Sequence, residues 1–150
     1  MANNLLQAYH VEHPAPDAGA VGLPLLFAGL LLPPLAWTIE LFVDYGLASH
    51  ACFPRAQPLL STPPGWGTVW STLLAVNIAA LLVACVATFI SFCIWRRTRG
   101  AVSSRQEELV EAGEGRTRFL AVWGIWTGVW FAIAILFNTI AVFAVPTCGS

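Results

Sequence analysis

The sequence predicts an all-α integral membrane protein of three transmembrane helices, with the N-terminus in the cytoplasm and the C-terminus outside. Three observations predict it. Three apolar runs, about 21–47, 69–95 and 119–145, each exceed the roughly 20 residues that a membrane helix needs. Charged residues make up 10% of the chain, against about 25% in soluble domains. Six of the seven arginines fall between residues 96 and 118, and the positive-inside rule assigns such a loop to the cytoplasm.

The first 20 residues are polar, then rich in Pro, Ala and Gly, and read as a cytoplasmic tail. They contain no Lys or Arg, so the basic region of a cleavable signal peptide is missing. His10, Glu12 and His13 cluster there but supply too few ligands for a metal. The first apolar run contains Pro33-Pro34, which remove two backbone donors and predict a kink. Pro54, Pro58, Pro63, Pro64, Gly65 and Gly67 break any helix in the connection that follows, and Trp66 and Trp70 suit a membrane interface.

In the second run Ala80, Ala84, Ala87 and Ser91 recur at spacings of three and four, placing small side chains on one face for close helix packing. Arg96-Arg97-Thr98-Arg99 ends it. Within the Arg-rich loop 96–118, Ser104-Arg105-Gln106-Glu107 has the form of a capping box and predicts a short surface helix over about 105–112, stopped by Gly113. Trp123, Trp126 and Trp130 form an aromatic stripe on the third run, and Gly124 and Gly128 make a GxxxG packing notch beside it. Together residues 21–150 form one three-helix transmembrane domain.

This threading puts Cys52 and Cys148 on the same, oxidising side, each a few residues past a helix end. A structural disulfide between them is expected, given the Cα separation of about 4.4–6.8 Å that such a bond needs. Cys85 and Cys93 lie within the second run and behave as small apolar side chains. Ser49-His50-Ala51-Cys52 has the outline of a lipoprotein cleavage site, but its late position sets that reading aside.

Each run carries a polar residue at a similar depth. Counted from helix ends near 47, 69 and 145, Glu40, Asn77 and Asn138 fall about 10–12 Å below the outer surface. Asp44 lies one turn above Glu40 on the same face. The four residues form a polar membrane layer in which Glu40 is either protonated or paired. The layer fixes helix register in one reading; in the other it supplies a proton-accessible carboxylate, or one that pairs with a cation on a neighbouring subunit. Below Glu40 the first run offers only Thr38, which argues against a self-contained pump or channel.

Pro34-Leu-Ala-Trp37, then Asp44-Tyr-Gly-Leu47 and Ala51-Cys52, resemble a pattern in small bacterial membrane proteins associated with genes for haem–copper cytochrome oxidases. The likeness covers about 20 residues, and the chain departs from the pattern at Glu40, where an aromatic or histidine is expected. The resemblance implies an accessory or assembly role in an aerobic respiratory complex of the bacterial inner membrane. It transfers no catalytic residue.

A net charge of −1 leaves no global basic surface for nucleic acid. The expected function is a non-catalytic accessory or assembly subunit whose partners are larger integral membrane subunits and the lipid bilayer, with no cofactor. One alternative is a membrane carrier or enzyme using Glu40, Asp44 and His50. Another is an outward-facing copper or thiol handler using His50, Cys52 and Cys148, residues that could hold a thiophilic metal.

Overall fold

The computed structural model describes residues 22–53, 59, 64–101 and 114–144, and places nearly all of them in three helices. These are α1 (Leu23–Cys52), α2 (Trp66–Ala101) and α3 (Glu114–Ala144). All three are long and apolar enough to cross a membrane, the architecture of a multi-pass membrane protein. The expected cytoplasmic tail, the expected short helix over 105–112 and Cys148 lie outside the described residues.

Each helix packs against the other two. The start of α1 meets the end of α2 and the start of α3, where Leu26, Ile94 and Ala121 form one buried cluster. α1 and α3 therefore run in the same direction, with α2 antiparallel to both. A second cluster, Ala80, Ala84 and Ile135 with Ala36 and Trp37 packed on it, fills the middle of the bundle.

The helix ends differ from those read off hydropathy. α1 continues through Ala48–Cys52 to Phe53, whose N–H donates to the Ser49 carbonyl at 2.9 Å. Residues 48–53 contain no Gly or Pro, and polar residues at the membrane edge can still hydrogen-bond in a helix. α2 begins at Trp66, after a Pro64-Gly65 turn in which Gly65 has φ +89°. That left-handed conformation suits glycine, which has no Cβ. α2 then continues past Trp95 to Ala101, because arginine is a good helix former. α1 stays helical through Pro33 and Pro34. Just beyond them, the Thr38 hydroxyl donates to the Pro34 carbonyl at 2.7 Å.

The interior is built mainly from small side chains. Ala80, Ala84, Ala87, Ser91 and Ala121 are buried, whereas Phe42, Tyr45, Phe89, Trp126, Trp130 and Phe137 are exposed. A soluble core would show the reverse. In lipid, tail and side chain are equally apolar, so helices associate through close contact rather than by burying bulk. Ser91 packs against glycines of both other helices: a Cβ added at Gly124 would lie 2.5 Å from its Oγ, and one added at Gly29 would also collide with it. One turn further along α3, Gly128 lies against Thr88. Both glycines of the GxxxG notch thus receive α2.

Candidate functional site

Beyond the middle cluster, toward the Cys52 end of α1, the three helices meet again through polar side chains. Glu40 and Asp44 are four residues apart and share one face of α1. Asn77 projects from α2, and Asn138 and Thr139 from α3. Glu40 and Asn77 have no exposed surface, and Asp44, Asn138 and Thr139 are half-buried.

The hydrogen bonds form one connected network. Asn138 Nδ2 donates to Glu40 Oε1 and to Asp44 Oδ2, each at 3.0 Å. One amide nitrogen therefore bridges the two carboxyl groups. Asn77 Nδ2 donates to Asp44 Oδ2 at 2.7 Å and to its own Leu73 carbonyl at 2.9 Å. Thr139 Oγ1 lies 3.1 Å from Asn77 Oδ1 and 2.8 Å from the Ile135 carbonyl, and its single proton serves one of them at a time.

Both asparagine amides have spent their two N–H groups here, yet two carboxyl oxygens, Glu40 Oε2 and Asp44 Oδ1, remain buried without a hydrogen-bond partner among the described residues. Arg96 lies 19 residues along α2 from Asn77, about 28 Å, and Arg118 is 20 residues before Asn138, about 30 Å. His50 is exposed, six residues and about 9 Å along α1 from Asp44. No basic side chain among the described residues is placed to balance the pair. Two ionised carboxylates about 5 Å apart would repel by about 3 kcal/mol at an effective dielectric of about 20. The arrangement can therefore take up positive charge.

Glu40 also forms part of the floor of a groove of about 380 Å³ between α1 and α2, walled by Leu32, Leu35, Ile39, Val76 and Ala79. Those walls are apolar, so the groove brings no further ligand to the carboxylate.

The structure thus brings Glu40, Asp44, Asn77 and Asn138 together. Thr139 joins them, and nothing in the sequence marks it, because a hydroxyl bonding its own helix is unremarkable. Glu40 is 12 residues, about 18 Å, from the end of α1, which extends to Cys52. His50 stands apart from the cluster, and no group of three His, Cys, Asp or Glu side chains among the described residues could hold a metal ion. Cys52 closes α1, and its expected partner, Cys148, lies outside the described residues. No family model, curated protein or solved structure matches the chain. The functional reading rests on these residues and their geometry.

Proposed function

We propose that the chain is a non-catalytic accessory subunit of a larger membrane complex in the bacterial inner membrane, a respiratory complex of the haem–copper cytochrome oxidase class. The observation that carries the reading is the position of two tryptophans on α3. Trp126 and Trp130 are 68% and 72% exposed. They lie 8 and 12 residues beyond Arg118, about 12 and 18 Å along the helix. Tryptophan facing lipid belongs at the headgroup level, where its indole N–H finds water or phosphate. At hydrocarbon depth an unpaired N–H is costly, and a protein surface that offers an acceptor relieves it. Tryptophan is also enriched at protein interfaces.

The exposed Arg96, Arg97 and Arg118 gather at one end of the bundle, and the positive-inside rule supports a cytoplasmic location for that end. The N-terminus then faces in, the C-terminus faces out, and Cys52 and Cys148 share an oxidising compartment suited to a disulfide. The experiment is affinity capture of the full chain from native membranes in a gentle detergent, followed by mass spectrometry. Large integral subunits are expected to accompany the wild type, with several-fold less for the Trp126→Leu, Trp130→Leu double variant. Recovery of the wild type alone overturns the reading.

A further inference from the structure

We propose that Glu40 and Asp44 form a binding site for a single proton, carried on Glu40 Oε2 and donated to Asp44 Oδ1. This goes beyond the accessory-subunit reading and holds whether or not the chain assembles with others.

The cluster lacks one donor. Glu40 has no exposed surface, and its Oε1 is tied to the amide that also holds Asp44, so the carboxyl group is directed into the cluster. Its other oxygen, Oε2, has no partner among the described residues, and neither does Asp44 Oδ1. A single proton on Oε2 turns an orphan acceptor into a donor and gives the second orphan the partner it lacks. It also lowers the charge of the pair from −2 to −1. The remaining carboxylate oxygen, Asp44 Oδ2, already accepts N–H bonds from Asn77 and Asn138.

The ligand is a proton rather than a metal cation because of what the site presents. Two amide nitrogens point their positive N–H ends into it. Only two carboxyl oxygens are left without partners, whereas hard cations take about six or more oxygen ligands. Among the described residues no other titratable group faces the pair: α2 contributes Asn77, α3 contributes Asn138 and Thr139, and on α1 both Tyr45 and His50 are exposed.

The site also has a closed side. Toward the arginine end the interior is Ala80, Ala84 and Ile135, then the tight contacts of Gly128 with Thr88 and of Ser91 with Gly29 and Gly124. The proton therefore exchanges only toward the His50 end.

Infrared spectroscopy of the full chain in lipid nanodiscs at neutral pH tests this directly. The wild type is expected to show one carboxylic-acid carbonyl band that shifts in heavy water. Glu40→Gln should lose it. Asp44→Asn should move it to higher frequency, because a neutral amide is a weaker acceptor than a carboxylate. Carboxyl-13C glutamate shifts the same band with no substitution, so a variant that fails to fold does not remove the test. Absence of the band in wild type, a second acid band, or a band unmoved by Asp44→Asn overturns the proposal. So does a thermal midpoint that rises with sodium ion.

Discussion

Adding one methyl group at Gly128 should loosen the bundle, although alanine is the better helix former. The new Cβ would stand 3.0 Å from Thr88 Cβ and 3.3 Å from Thr88 Cα, and closer still to its hydroxyl. Rotating the threonine away is opposed by the bond from its Oγ1 to the Ala84 carbonyl at 2.6 Å, and rotation does not move Cβ or Cα at all. The two helices must separate by a few tenths of an ångström. Overpacking of this kind costs about 1–3 kcal/mol. The gain in helix propensity on replacing glycine returns up to about 1 kcal/mol. Gly46 calibrates that second quantity, since a Cβ there meets nothing within 4 Å. The expected difference between Gly128→Ala and Gly46→Ala is therefore about 2 kcal/mol, or roughly 30-fold in the folding equilibrium. Reversible unfolding by titration of denaturing detergent into mixed micelles measures it. Equal stability of the two variants would show that the notch does not hold α2 against α3.

The bridging role of Asn138 predicts that Asn138→Ala, which strips one N–H from each carboxyl group, costs about 2–3 kcal/mol in the same assay. Thr139→Val should cost less than about 1 kcal/mol, because its hydroxyl divides between a side chain and its own helix. Ile135, fully buried, and Leu136, 46% exposed, are neighbours on α3 with opposite surroundings. Ile135→Ala should cost about 2–4 kcal/mol through the cavity it leaves, and Leu136→Ala less than about 0.5 kcal/mol, because lipid refills the space. A cost for Leu136→Ala as large as that for Ile135→Ala would show that Leu136, and not only Ile135, packs against protein.

The three helices are legible in the sequence because an unpaired backbone is intolerable in lipid, so a long apolar run has one form available to it. Their ends are not. Hydropathy marks where the membrane stops, whereas the helix stops where hydrogen bonding fails. Arg96 to Arg99 belong to the second category and not the first, which is why α2 runs on to Ala101. In the site, the four-residue spacing of Glu40 and Asp44 fixes a shared face on any helix, and both asparagines stand out in apolar runs. Thr139 does not stand out, since membrane threonines commonly bond their own helix, as Thr88 and Thr98 do here. Gly29 is also silent in the sequence. Its importance arises from Ser91 on another helix, and the rotation of α1 that brings them together is a property of the packed bundle.

The meeting of Gly29, Ser91 and Gly124 gives the molecule a fulcrum. With backbone pressed this near to side chain, the helices cannot slide past one another there. Ser91 is 14 residues from Asn77 on α2, about 21 Å. The bundle can therefore yield only as a tripod does, its legs spreading at the far end. Because Asn138 grips Glu40 and Asp44 with one nitrogen, an outward swing of α3 would strip an N–H from both acids in the same instant, freeing Glu40 while Asn77 keeps its hold on Asp44.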